Sequence, residues 1–137
     1  MIKRTIEDMK DIYKGSAEID KETVVYTADN VYYGESSEHL MAGITTIYPG
    51  KVGEEFFMTK GHNHIESAGE VYYGLEGEAV ILLKYEDEVE EEKILRPGEV
   101  VYCPPGVAHR AINKGQTISK FFCVCRADAG HNYNVKF

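Results

Sequence analysis

Two histidines one residue apart, His62 and His64, are the first residues in the chain whose types and spacing suit chemistry. On an extended strand alternate side chains share a face, so both imidazoles point the same way, about 7 Å apart along the chain. Two imidazoles so placed converge on one divalent ion, each about 2.0–2.2 Å from it. Glu70 follows six residues after His64, past a short polar connection, where the next strand begins. A return strand brings its carboxylate beside the pair. Glu66 sits in the connection and is the weaker candidate. A lone histidine is ordinarily a hydrogen-bonded structural residue, but an i, i+2 pair followed by a carboxylate at a strand start is more specific. A second segment runs from Gly98 through Pro104-Pro105-Gly106 to His109 and Asn113. It reads as strand, tight turn and strand, with the turn throwing His109 back toward the interior.

The elements that must position these residues are short strands. From residue 23 onward, runs rich in β-branched and aromatic residues fall at 23–27, 31–34, 39–48, 54–60, 69–76, 78–85, 91–95, 99–103, 108–113 and 119–126. Gly and Pro turn signals separate them, and no run holds helical periodicity for the 10–12 residues a helix needs. The pattern is that of an all-β sandwich or barrel. Residues 1–22 are polar and weakly helical or irregular, an arm expected to pack on the main body or on a second subunit. The acidic run from Glu86 to Glu92 lies between two apolar strands and reads as a solvated hairpin tip.

Size and composition narrow the class. The chain has 137 residues and a net charge of −8, one domain with little affinity for a phosphate backbone, so no nucleic-acid partner is expected. With 43% hydrophobic residues it is not a disordered tail. The longest aliphatic or aromatic runs, 79–83 and 121–125, fall far short of the roughly 20 residues that span a bilayer, and the N-terminus lacks an apolar signal core. No membrane partner is expected. Cys103, Cys123 and Cys125 are odd in number and read as reduced, buried small hydrophobes of a cytoplasmic protein.

With both segments together the chain resembles the cupin superfamily, whose two motifs supply a double-stranded β-helix (jelly-roll barrel) with HxH, a Glu and a final His. The second motif fits without departure. The first fits through Glu70, six residues and Gly77, but has five residues between His64 and Glu70 where the general pattern has three or four. A narrower resemblance covers about residues 24–133. Tyr48-Pro49-Gly50-Lys51-Val52-Gly53, Thr59-Lys60-Gly61-His62-Asn63-His64, Pro104-Pro105-Gly106-Val107-Ala108-His109 and Ala127-Asp128-Ala129-Gly130-His131-Asn132-Tyr133 look like the cupin-type (archaeal-type) glucose-6-phosphate isomerases. That resemblance implies an arm at 1–22 and a cupin barrel at 23–137. It implies interconversion of glucose 6-phosphate and fructose 6-phosphate in a cytoplasmic homodimer serving glycolysis and gluconeogenesis. It places one divalent metal ion per subunit, iron(II) first and Mn, Ni, Co or Zn also compatible, on His62, His64, Glu70 and His109. It puts substrate contacts on Tyr26, Thr45, Thr59, Gly61, His131 and Tyr133, and catalytic roles on Glu70, His131 and Tyr133. Three departures stand out: the spacing from HxH to Glu is one residue shorter than in the family, Cys125 stands where members often carry a tyrosine, and the chain ends soon after Tyr133.

The residues make chemical sense for that reaction. Aldose–ketose isomerisation is limited by the acidity of a carbon next to a carbonyl, and a Lewis acid stabilises the oxyanion that develops. Either a base takes the C–H proton to give an enediol or the metal polarises the carbonyl for a direct hydride shift. Glu70 is the leading base, although coordination lowers its basicity, which leaves steering as its alternative role. His131, Tyr133 and Tyr102 are alternatives for moving the hydroxyl proton. For the phosphate, the Thr59 hydroxyl, the Gly61 N–H and Tyr133 are donors, and Lys60 or Arg110 adds charge if it faces inward. Tyr72, Tyr73, Tyr85, Phe121 and Phe122 read as core. The competing readings are an isomerase of another phosphosugar, an Fe(II) oxygenase, and a non-catalytic metal- or sugar-binding cupin. A strand at 23–27 left at a sheet edge is readily completed by a partner, which favours a dimer.

Overall fold

Turn residues cut the chain into eleven short strands and one 3-10 turn at Glu7–Met9 in the computed structural model, which describes residues 1–15, 18–31 and 34–137. The strands are β1 (Ile2–Thr5), β2 (Val24–Val31), β3 (Leu40–Ile47), β4 (Lys51–Val52), β5 (Glu55–Phe56), β6 (Glu70–Glu76), β7 (Ala79–Lys84), β8 (Glu90–Leu95), β9 (Val100–Cys103), β10 (Ala108–Ile112) and β11 (Ser119–Arg126). They build a six-stranded sheet in the order β1-β2-β3-β11-β6-β9, a three-stranded sheet β10-β7-β8 and a small β4-β5 ribbon. Every pairing between these strands is antiparallel. This is the jelly-roll barrel expected from the sequence.

Period-two alternation decides what each strand buries. In β7, Ala79, Ile81 and Leu83 face inward and the residues between them are partly exposed. In β11, Ser119, Phe121 and Cys125 are buried, and in β6, Glu70 and Tyr72. Val25, Ile47, Ile81, Leu83 and Leu95 join one core with Met9 and Phe121. Each such side chain contributes about 1.5–3 kcal/mol by leaving water. The sheet that carries Glu70 and the sheet that carries His109 are therefore fixed by the same core.

Two local expectations are revised. The arm is not helical at its start: Ile2–Thr5 forms β1 and pairs with β2. It lies on the main body of its own chain, with Met9 fully buried in the core. The strand expected at 54–60 is reduced to Glu55–Phe56, followed by single bridges from Met58 to Ile112 and from His62 to His109. Part of the run expected at 31–34, Tyr32 and Tyr33, lies outside the described residues. The acidic stretch is the exposed turn expected: Tyr85 N–H donates to the Val89 carbonyl at 2.9 Å, and β8 begins at Glu90.

Candidate active site

Gly61 delivers the histidine pair. Its φ of +78° is in the left-handed region, and a Cβ there would meet the Phe137 ring at 2.5 Å. The turn lays His62 against β10, where His62 N–H donates to the His109 carbonyl at 3.0 Å and His109 N–H donates to the His62 carbonyl at 2.8 Å. So the pair sits on an extended segment bridged to β10 rather than within a strand. Glu70 opens β6 and is 4% exposed; His109 is in β10 and is 1% exposed. The Nδ1–H of His64 donates to the Gly130 carbonyl and that of His109 to the Val107 carbonyl, each at 3.0 Å. With Nδ1 so committed, the Nε2 lone pair of each ring turns inward.

The inward atoms converge. Glu70 Oε1 is 3.4 Å from His64 Nε2, Glu70 Oε2 is 3.3 Å from His109 Nε2, and His109 Nε2 is 3.1 Å from His62 Nε2. All four residues place a donor atom within 4.8 Å of the others. Two observations test whether a metal ion fits. His64 Nε2 is buried without a hydrogen-bond partner, and two imidazole lone pairs facing each other at 3.1 Å repel unless a proton or a cation stands between them. Three imidazoles and one carboxylate, with no thiolate among them, suit a divalent first-row metal. The residues fit the ion.

Charge is arranged accordingly. Burial, reinforced by His109, holds the His62 imidazole well below its ordinary value. Burial also works against a charged His64, but the Glu70 carboxylate 3.4 Å away outweighs it and raises the imidazole. For Glu70, burial pushes upward and is outweighed by His109 and His64, which leave the carboxyl well below the usual range. Glu70 is thus an anion deep in the protein, matched by imidazoles rather than by lysine or arginine.

Beside this cluster opens a cavity of about 260 Å³. His62 and Glu70 line it, together with Tyr26, Thr45, Thr59, Gly61, His131 and Tyr133. The His131 ring centroid is 4.4 Å from that of His62, and the Tyr133 ring stacks on His131 at 10°. The Thr59 oxygen accepts from Ala111 N–H at 3.0 Å, which leaves its own proton free to donate into the cavity. Lys60 also lines the wall.

Other candidates fall elsewhere. Tyr102 is 52% exposed and opposes Val71, on the face of the sheet away from Glu70, so it moves no proton in this cavity. Arg110 turns outward: it donates to the Thr59 and Lys60 carbonyls and lies over the Phe137 ring. Asn113 is a buried turn clamp, donating to the Ile47 and Thr117 carbonyls. Tyr72 and Phe121 are core, as expected, and both also line the cavity, whereas Tyr73, expected in the core, alternates to the outer face and is 40% exposed. Cys103 and Cys125 are buried and Cys123 half-buried, all free thiols, and burial pushes Cys103 and Cys125 up to about 12. Arg4 lines the cavity and was not singled out by sequence, because only the pairing of β1 with β2 turns it inward.

The sequence profile of the family described as glucose-6-phosphate isomerase (GPI) matches residues 3–136. The chain belongs to the glucose-6-phosphate isomerase family. Its similarity to the isomerase of Thermococcus gammatolerans is 38% identity over 137 residues, covering 96% of this chain and 72% of that protein. The isomerase of Thermococcus kodakarensis is 41% identical over 114 residues, 82% of this chain and 60% of its own length. That of Pyrococcus furiosus is 42% identical over 116 residues, 84% and 61% respectively. The chain therefore spans about 60–72% of these relatives. Among solved structures, an oxalate oxidase in complex with the substrate analogue glycolate superposes with a TM-score of 0.68 at 16% identity, over 80% of this chain and 55% of that one. Bacillus subtilis oxalate decarboxylase superposes at 0.55 and 22% identity, over 68% of this chain and 22% of that one. These two show the fold alone, a cupin barrel. The expectations of family, of fold and of an isomerase are met.

Proposed function

We propose that this chain interconverts glucose 6-phosphate and fructose 6-phosphate, with one divalent ion per chain held by His62, His64, Glu70 and His109. One observation carries the reading: the cavity walled in part by His62 and Glu70 of this cluster is lined by all six residues at which the family resemblance places sugar-phosphate contacts. Iron(II) is the first choice of ion, with Mn(II), Ni(II), Co(II) and Zn(II) compatible with the same donors. When bound, the ion supplies Lewis-acid polarisation of the sugar's carbonyl and hydroxyl oxygens at C1 and C2.

The chain's own residues do the rest. Both Glu70 oxygens face imidazoles, at 3.4 and 3.3 Å, so its carboxylate orients the cluster. In an enediol route it would take the C–H proton from one carbon and return it to the other, and in a hydride shift that hydrogen would pass directly between C1 and C2. His131 stands at the cavity wall beside His62, placed to pass a proton between the two sugar oxygens. Tyr133, stacked on it, fixes that ring and offers its hydroxyl. The Thr59 hydroxyl and the Gly61 N–H are the donors for the phosphate, with Thr45 and Tyr26 along the wall.

The reading includes a cytoplasmic homodimer. The 23–27 strand is not the edge that a partner would complete, because β1 covers it. What the barrel leaves uncovered is the outer face of the large sheet, where Ile44, Tyr73, Val100 and Tyr102 are each at least 40% exposed. In register Ile44 stands beside Phe122, Phe122 beside Tyr73 and Tyr73 beside Val100, an apolar row across four strands. A second copy presenting the same row covers it by two-fold symmetry.

The experiment is substrate affinity against metal content. Thr59→Val and Tyr133→Phe should raise KM for fructose 6-phosphate about tenfold or more, the loss of a hydrogen bond to a charged group, while the metal measured per chain stays that of wild type. Unchanged KM in both variants would put the phosphate elsewhere in the barrel.

A further inference from the structure

We propose that Arg4, carried into the cavity by β1, is the cation that holds the substrate's phosphate, an inference that rests on the phosphosugar reading above. β1 and β2 pair antiparallel with Arg4 opposite Tyr26 and Ile2 opposite Ala28, and all four residues line the cavity. Directly opposed residues share a face, so Arg4 points where Tyr26 points. Its Nε is buried and has no hydrogen-bond partner. No ion pair among the described residues includes Arg4.

A buried guanidinium nitrogen without an acceptor is a cost that a ligand removes. Glu70 is the one carboxylate on the cavity wall, and it is engaged by the histidines. The positive charge of Arg4 is felt by both Tyr26 and Tyr133, where it works against the burial that raises each phenol. Both tyrosines line the same cavity as Arg4, and Tyr26 is its direct cross-strand neighbour. A phosphate monoester carries close to two negative charges at neutral pH, and arginine's planar fork matches it in two parallel bonds. A phosphate held there shares the cavity with His62 and Glu70, which line it too.

The test uses the metal-loaded full chain. Arg4→Gln should raise KM for fructose 6-phosphate by about tenfold or more and weaken inorganic phosphate, measured by calorimetry, to a similar degree, as for any lost bond to a charged group. Arg4→Lys, which keeps the charge but not the fork, should fall between wild type and Arg4→Gln. Lys3→Gln, at an exposed neighbour, should match wild type, which separates a specific contact from net charge. A wild-type chain that isomerises while Arg4→Gln keeps wild-type KM and phosphate affinity would overturn the role of Arg4. A wild-type chain without isomerisation would instead overturn the reading on which it rests. If Arg4→Gln does not fold, Arg4→Lys decides: a several-fold rise in KM supports the contact, and wild-type KM refutes it.

Discussion

Two backbone carbonyls, those of Gly130 and Val107, decide which nitrogen of His64 and His109 faces the cluster. Each imidazole is thereby a fixed lone pair rather than a rotating ring, and the four donors act as a set. His109→Ala should therefore cost the protein its metal as completely as His62→Ala, read by elemental analysis after dialysis, since each removes one of the four proposed ligands. Retention of stoichiometric metal by either variant would contradict the ligand set. The four residues were legible in the sequence because their types are rare and their spacings match strand and turn geometry. Tyr102 and Arg110 were not: each stands one position from an inward-facing neighbour, and only the sheet register says which way it turns. Arg4 was illegible for a related reason, as a charged residue in a polar arm shows no face until the arm pairs with a strand.

At the scale of elements, β1 depends on a small clamp. The Asp8 carboxylate accepts from Thr5 N–H at 2.8 Å and from the Thr5 hydroxyl at 3.1 Å, joining the end of β1 to the 3-10 turn. The backbone bond from Thr5 is the chief reason that the Asp8 carboxyl lies below its usual value of 3.8. A carboxyl depressed in the folded state contributes stability above its unfolded value, and that contribution fades as pH falls through the folded one. Asp8→Asn should thus lower the thermal midpoint at pH 7, and the gap to wild type should close as pH drops below about 4. A gap that persists unchanged at pH 2 would show that the carboxylate's charge is not what holds β1. Most other strands were readable from Gly and Pro punctuation and β-branched runs. The exception is the run at 54–60, which keeps only Glu55–Phe56 as strand and continues with single bridges from Met58 and His62 to β10.

For the molecule as a whole, the outer row of Ile44, Phe122, Tyr73 and Val100 predicts self-association. Light scattering should give twice 15.4 kDa for wild type and 15.4 kDa for Ile44→Glu, with far-ultraviolet dichroism unchanged. A wild-type monomer at all concentrations would refute the dimer and leave the metal proposal intact, because the four proposed ligands belong to one chain. Barrel, cluster and cavity together make one claim: this chain isomerises a phosphosugar at a metal held by three histidines and a glutamate. The direct measurement is conversion of fructose 6-phosphate to glucose 6-phosphate by chelated protein, before and after adding single divalent metals in known amounts. The account predicts no turnover after chelation and activity that rises with added iron(II) or manganese(II) until about one ion per chain is bound. Full turnover in excess chelator, with no metal found by elemental analysis, would contradict it.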